Sequence, residues 1–257
     1  MYKLSVAIIT YNEEKNIQRC IESVLAVADE IIIVDSFSTD KTEELAKSYE
    51  KQVDLKFLKN PFAGYIEQKN FALKETSHPY ILSLDADEAL SPELQESIKA
   101  AKRQFKAKAY SFHRLTNYVD QWIFHCGWYP DTKLRLIHRD YADWQGTNPH
   151  DILTLKVPTE IVHLKGDLLH YSYDSISGHL TQTNKFTNIA AQAAFDKGQR
   201  SSLFKIITRP FFKFLRDYIW KRGFLDGRYG FIICFINALA AMLKYAKLFE
   251  IQQGKKP

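Results

Sequence analysis

Asp85 and Asp87, one residue apart in Asp85-Ala86-Asp87, directly follow an apolar run from Tyr80 to Leu84. Hard divalent cations prefer oxygen ligands, and Mg²⁺ or Mn²⁺ typically keeps one or two protein carboxylates while sharing phosphate oxygens with a substrate. The pair is a candidate metal-diphosphate site, although an isolated acidic pair is more often a solvated turn. Asp35 strengthens the first reading, because it closes a second apolar run from Glu30 to Val34. No GxGxxG follows the first apolar run and no GxxxxGK[ST] occurs, so a diphosphate here would be neutralised by metal and basic side chains, not by a glycine loop. Arg135, in Lys133-Leu134-Arg135-Leu136, is a candidate contact for phosphate or acceptor. His170, alternating with Leu169 and Tyr171, is a candidate late ligand to metal or diphosphate.

Such groups need a scaffold that brings strand ends together. Leu4 to Ile9, a nearly continuous apolar run, reads as a strand buried on both faces of a parallel sheet, and Glu30 to Val34, Val53 to Leu58 and Tyr80 to Leu84 read as three further strands. Helices follow each: Ile17, Cys20, Ile21, Val24 and Leu25 recur at helical spacing, and Ser38-Thr39-Asp40 can cap a helix running to about Tyr49. A helix from about Ile66 to Glu75 comes next, and Ser91-Pro92-Glu93 opens another with Pro in its first turn. The alternation predicts a doubly wound α/β sheet, in which ligands bind beyond the carboxyl ends of the strands. The clusters Thr10 to Glu14, Val34 to Asp40 and Leu84 to Glu88 all fall at that edge.

Beyond Arg103, strands are expected at Ala109 to Tyr118, at Lys133 to Arg139, near Glu160 to Leu164 and at Leu168 to Tyr173. A Gly-, Pro- and Asn-rich loop is expected from Asp143 to Asp151, and a helix from Ser175 to Phe195. Two aromatic helices, about 203 to 221 and 229 to 250, close the chain around Gly223-Phe224-Leu225-Asp226-Gly227.

The 257 residues are 46% hydrophobic and 25% charged, which argues against disorder and against a polytopic membrane protein. Cys20, Cys126 and Cys234 lie far apart, so a disulfide scaffold or cysteine zinc site is not expected. The N-terminus reads without a secretory signal. The net charge of +5 is unevenly spread: from Lys197 to Pro257 there are 13 Lys/Arg against 3 Asp/Glu, leaving 22 basic and 27 acidic residues before it. A basic, aromatic tail on an acidic body points to an anionic surface.

Four ordered motifs carry a specific resemblance: AIITYNEEKNI (7 to 17), EIIIVDSFSTDKT (30 to 42), GYIEQKNFAL (64 to 73) and LSLDADEALSPEL (82 to 94). Together they resemble the inverting nucleotide-sugar glycosyltransferases of family 2, which have the GT-A fold. GWYPDTKLRLIHR (127 to 139), LKGDLLHYSY (164 to 173) and RPFFKFLRDYIWKRGFLDGRYGF (209 to 231) extend it to the bacterial lipopolysaccharide-core β-glucosyltransferase subgroup. The resemblance implies a GT-A, Rossmann-like and mostly parallel sheet flanked by helices. Residues 1–196 would form the glycosyltransferase domain, its nucleotide-binding half about 1–103 and its acceptor half about 104–196. Residues 197–257 would form a helical, membrane-associating extension.

For the site, the resemblance implies that Thr10, Tyr11 and Glu13 line a uracil and ribose pocket, with Asp35 bonding the nucleoside. Gln68 and Lys69 would approach the base or diphosphate, Asp85 would bind ribose or assist the metal, and Asp87 would be the direct ligand of Mg²⁺ or Mn²⁺. Inversion needs a base for the acceptor hydroxyl. Related sequences carry W-x-G…H-E where this chain has Trp144-Gln145-Gly146-Thr147-Asn148-Pro149-His150-Asp151, so Asp151 stands where Glu is expected, with His150 as the alternative. Trp122, Trp128 and Tyr129 are candidates for a sugar-stacking platform.

The implied reaction moves a hexose, glucose by the resemblance, from a UDP-sugar to a lipid-linked saccharide at the cytoplasmic face of a bacterial inner membrane. A polyprenyl phosphate acceptor, or a non-catalytic membrane protein with a degenerate pocket, are the alternatives. In the tail, Arg209, Lys213, Arg216, Lys221 and Arg222 interleave with Phe211, Phe212, Phe214, Tyr218 and Trp220, suiting an anionic membrane surface better than nucleic acid. The apolar run Phe231 to Leu243 is 13 residues, short of the roughly 20 that span a bilayer.

Overall fold

The computed structural model describes residues 2–147 and 150–255. The chain divides into two compact units, residues 1–114 with 131–171, and residues 115–130 with 172–257.

The first unit opens with β1 (Leu4–Thr10), α1 (Ile17–Val24), β2 (Glu30–Asp35), α2 (Thr42–Lys47), β3 (Asp54–Lys59), α3 (Tyr65–Glu75) and β4 (Tyr80–Asp85). These strands run parallel in the order β3-β2-β1-β4. Every residue of β1 and β2 is buried, which is why both segments are nearly continuous apolar runs. Side chains alternate between two cores. Leu4, Val6, Ile8, Ile31 and Ile33 face α1 and α4 (Pro92–Arg103), while Ala7, Ile9, Ile32 and Val34 face Ala72 and Leu73 of α3. Ser91 caps α4 with its Oγ accepting from the Leu94 N–H at 3.3 Å, and Pro92 occupies the first turn as the sequence predicts.

The sheet continues through short β5 (Glu88–Leu90), β6 (Ala109–Tyr118), β8 (Asp131–His138) and β11 (Ile161–Tyr173). The full order is β3-β2-β1-β4-β8-β6-β11-β5, with β8 antiparallel to both β4 and β6 and β11 antiparallel to β5. The segments expected as two strands, 160–164 and 168–173, are the single strand β11, which passes Gly166 at φ +91°. A Cβ there would stand 2.3 Å from the Leu94 nitrogen, so only glycine lets the strand pass the start of α4.

The expected loop 143–151 is instead largely an antiparallel ribbon, β9 (Ala142–Thr147) with β10 (His150–Leu155). Its Gly- and Asn-rich composition reads as a loop, but Trp144 and Leu153 are buried against the α3 side of the sheet and the ribbon pairs its own backbone.

In the second unit, β7 (Gln121–Ile123) pairs with the end of β6, and three helices follow: α5 (Ile176–Asp196), α6 (Leu203–Leu215) and α7 (Gly227–Gln252). One core gathers Tyr118, Ile123, Cys126, Ile233 and Cys234, and another gathers Ala191, Ala194, Leu248 and Ile251. Trp128 stacks on Tyr173 at 5.7 Å and edges Tyr118, so it covers the first of these cores. Burial pushes His179, 3.1 Å from the Tyr118 hydroxyl, down to about 4. The helix expected over 203–221 is α6 followed by one π turn, Arg216–Trp220, and α7 begins after a 3-10 turn, Gly223–Asp226. The helical segment Gly223–Gln252 is long and apolar enough to cross a bilayer by length and composition, where the 13-residue run alone was too short. All three cysteines are buried and free.

Candidate active site

β1 lies between β2 and β4, and its register sets Thr10 opposite Asp35 and Ile9 opposite Asp85. Adjacent strands are about 4.8 Å apart, so Thr10, Asp35 and Asp85 form a row along the carboxyl edge. The crevice lies beside the central strand, where crossovers diverge to either side. A cavity of about 580 Å³ opens there, lined by Thr10, Tyr11, Glu13, Ser36, Phe62, Tyr65, Asp85, Asp87 and His170. That volume lies within the usual range for small-molecule sites.

The loops around the mouth brace one another. Asn12, in the left-handed region at φ 54°, accepts from the Thr39 N–H at 2.8 Å and donates its own N–H to Ser38 Oγ at 2.8 Å. The Glu13 N–H donates to Thr42 Oγ1 at 2.8 Å. Asp35 is fully buried and accepts from the Ser38 N–H at 2.9 Å and from the Ser38 hydroxyl, so its carboxylate organises the loop beneath the cavity.

Three consecutive residues of α3 each fasten a different element. Gln68 donates to Ser36 Oγ at 3.1 Å and accepts from Asn60 at 2.8 Å, tying down the loops after β2 and β3. Lys69 sends Nζ to Asp85 Oδ1 at 2.9 Å and to Asp151 Oδ2 at 2.8 Å, and lies 4.3 Å from the centre of the Trp144 ring. Asn70 exchanges two hydrogen bonds with the backbone of Trp144, at 2.8 and 3.0 Å. Gln68 and Lys69 are both buried and stand behind the cavity wall.

Arg135, 3% exposed, donates to Glu88 Oε1 at 2.8 Å and lies 3.4 Å from Asp85 Oδ2. Burial alone would raise the Asp85 carboxyl, but the Lys69 and Arg135 cations outweigh it and hold the group well below the usual carboxylate range. Arg114 reaches Glu88 at 3.5 Å and Asp131 at 2.9 Å. Burial, reinforced by Glu88, Asp87, Asp85 and Glu13, pushes the Cys20 thiol well up, which keeps it protonated and unreactive.

A second cavity of about 540 Å³ also reaches Asp85, lined by Lys69, Asp85, Arg114, Lys133, Arg135, Trp144 and Asp151 among others. Asp85 and Asp151, 66 positions apart, therefore share one ammonium while facing two cavities. The side chain of His150, the alternative base, lies outside the described residues.

Asp87 and His170 meet because β11 pairs with β5 directly after the acidic turn, setting His170 opposite Glu88. His170 Nε2 lies 3.2 Å from Asp87 Oδ2, and its buried Nδ1 has no partner among the described residues; nor has Thr10 Oγ1. Among the described residues no three or more His, Cys, Asp or Glu form a ready cage for a metal. A carboxylate and an imidazole at the cavity wall fit a hard or borderline divalent cation whose remaining positions are filled by phosphate oxygens and water.

Of the residues singled out in the sequence, Thr10, Tyr11, Glu13, Asp85, Asp87 and His170 line the first cavity, and Lys69, Asp85, Arg135 and Asp151 line the second. Asp35 and Gln68 hold the loops around them. Sequence reasoning gave no role to Glu88, Asn70, Trp144, Ser36 and Tyr65, although all five stood inside the quoted stretches.

The parallel β3-β2-β1-β4 half with acids along its carboxyl edge, extended by antiparallel strands, has the GT-A fold. Residues 5–154 match Glycosyl transferase family 2, and the chain belongs to that family. It is 33% identical to an uncharacterized glycosyltransferase of Rickettsia typhi over 261 residues, covering 98% of this chain and 88% of the relative. It is 32% identical to the lipopolysaccharide core biosynthesis glycosyltransferase LpsC of Rhizobium meliloti over 263 residues, covering 96% and 92%. In fold it is similar to residues 1–349 of S. aureus TarS, solved in complex with UDP-GlcNAc, with a TM-score of 0.50 at 15% identity over 98% of this chain and 92% of that one. The protein is therefore an enzyme, a glycosyltransferase.

Proposed function

We propose that the enzyme moves a hexose, glucose by its resemblance to core glucosyltransferases, from a UDP-sugar to a hydroxyl of a lipid-linked saccharide, with inversion. One observation carries this reading: two cavities of similar size meet at Asp85, one edged by the acidic turn and the other holding Asp151. A donor and an acceptor need such an arrangement, on opposite sides of the carbon that changes partners. The relative LpsC, named for lipopolysaccharide core biosynthesis, supports the acceptor class.

In this reading Thr10, Tyr11 and Glu13 receive the nucleoside, and the unpartnered Thr10 hydroxyl is available to it. Asp87 and His170 would hold a Mg²⁺ or Mn²⁺ ion together with the diphosphate. When bound, such an ion supplies positive charge that stabilises the departing diphosphate. Asp151 accepts the proton of the acceptor hydroxyl as its oxygen bonds to the anomeric carbon and the carbon–phosphate oxygen bond breaks, releasing UDP. Lys69 orients that carboxylate through Oδ2, and the Trp144 ring holds the ammonium in place.

Isothermal titration with UDP, with and without Mn²⁺, tests the donor half. Binding that strengthens with Mn²⁺ in the wild type and loses that dependence in Asp87→Ala is the expected result. Metal-independent binding, or an unchanged Asp87→Ala, overturns it.

A further inference from the structure

The second unit carries a surface that the catalytic reading does not use. None of the residues of α6 is buried. Phe204, Ile207 and Phe211 recur on it at three- and four-residue spacing, exposed by 75, 61 and 59%. Trp220, at the end of the π turn, is 75% exposed, and Phe224 follows in the 3-10 turn at 48%. The apolar surface continues onto α7, since Phe231 contacts the Phe214 ring at 5.8 Å and stacks on Phe235 at 6.3 Å. Continuous exposed apolar surface of this kind marks an interaction site, not an ordinary solvated face.

Charge narrows the partner. Between Arg200 and Asp226 the chain has seven Lys or Arg and two acids, and both acids are buried. Asp217 is enclosed by Lys213 at 2.5 Å, Arg216 at 2.9 Å and Lys221 at 3.9 Å. Asp226 accepts from the backbone N–H groups of Phe124 and His125, at 3.2 and 2.8 Å. The outward charge of this segment is thus wholly positive. Three of its cations are tied to Asp217, whereas Arg209 and Arg222 have no carboxylate partner among the described residues. Exposed aromatic rings beside unpaired cations, with no outward acid, complement the headgroup boundary of an anionic bilayer.

We propose that α6 and the turns after it lie in the headgroup region of an anionic phospholipid bilayer. Phe204, Ile207, Phe211 and Trp220 insert among the acyl chains, and Arg209 and Arg222 meet lipid phosphates. α7 commits Ile233, Cys234, Leu248 and Ile251 to the cores of its unit, so the attachment is interfacial and not a span. Because Asp217 engages three of the cations, insertion contributes more than charge. The proposal does not rest on the catalytic reading.

Flotation of the full chain with mixed phosphatidylethanolamine–phosphatidylglycerol vesicles tests it. Wild type should float, remain partly bound at about 0.5 M NaCl, where charge is screened beyond roughly 4 Å, and be released by alkaline carbonate. The triple variant Phe204→Ser, Phe211→Ser, Trp220→Ser should partition roughly 100-fold more weakly while keeping its melting temperature, because the three side chains are already exposed. Arg209→Gln with Arg222→Gln should weaken binding only where phosphatidylglycerol is present. Absence of flotation by wild type, an unaffected triple variant, or resistance to carbonate extraction overturns the proposal. So does complete release by salt, which would make the attachment purely electrostatic.

Discussion

Lys69→Met removes one buried ammonium from between two partly buried carboxylates, and its cost follows from that burial. The Lys69 side chain is 4% exposed, that of Asp151 12% and that of Asp85 26%. Breaking a buried pair by deleting one partner costs about 3–5 kcal/mol, because the remaining charge loses its compensation. At about 2–4 °C per kcal/mol for a chain of this size, the variant should melt roughly 10 °C below wild type. In wild type the lowered Asp85 value means that its charged form stabilises the fold above the ordinary carboxylate range, and that this stability is lost on strong acidification. Without Lys69 the Asp85 carboxyl keeps only Arg135 close by to offset its burial, so less of its depression survives and the gap between variant and wild type should narrow on acidification below the ordinary carboxylate range. Adding Asp151→Asn to Lys69→Met should recover about 1–3 kcal/mol, a non-additive coupling that a thermodynamic cycle measures directly. Turnover, followed by UDP release, should stay about 100-fold or more down in both variants, since the proposed base is misplaced in one and missing in the other. A Lys69→Met protein that melts within about 1 °C of wild type, or strictly additive single and double variants, would refute the buried bridge.

Asp151→Asn alone should lower turnover by about 10²–10⁴ while leaving UDP affinity nearly unchanged, because Asp151 lines the second cavity and not the first. Retained turnover would instead favour a polyprenyl phosphate acceptor, whose charge needs no base. At the opposite edge of the sheet, burial of Glu30 is outweighed by bonds from Ser5, Ser77 and Lys56, which lower it from 4.5 to about 2. Its contribution of roughly 3 kcal/mol should be complete above pH 4.5 and disappear as pH falls toward 2, and Glu30→Gln should flatten that acid limb in urea titrations at several pH values. Gly166→Ala should cost roughly 3 kcal/mol in chemical denaturation, because the new Cβ meets the backbone of Leu94 and the φ of +91° disfavours any side chain.

Much of this protein was legible in one dimension. Unbroken apolar runs marked β1, β2 and β4, the Ser91-Pro92 cap marked the start of α4, and acids placed just after strands marked the ligand-binding edge. These are local signals: periodicity, capping and strand termination depend on residues within a few positions of one another. The acceptor side was harder to read. The Gly- and Asn-rich stretch before Asp151 forms a ribbon only because Trp144 finds a buried place beside α3, bonded to Asn70 at a separation of 74 residues.

Three decisions belong to the tertiary structure alone. Gln68 and Lys69, helix positions that the resemblance puts near the base or diphosphate, brace the loops and carboxylates of the site because α3 packs beneath them. His170 meets Asp87 across 83 residues because β11 enters antiparallel beside β5, a register that no local pattern encodes. The cations of the tail, equal in sequence, divide into those that surround buried Asp217 and those that stay free. Residue types and their spacing determined which chemistry was possible. Which carboxylate faces which cation was decided by the long-range packing of strands and helices, because Coulomb and hydrogen-bond energies depend on distances that only the folded chain sets.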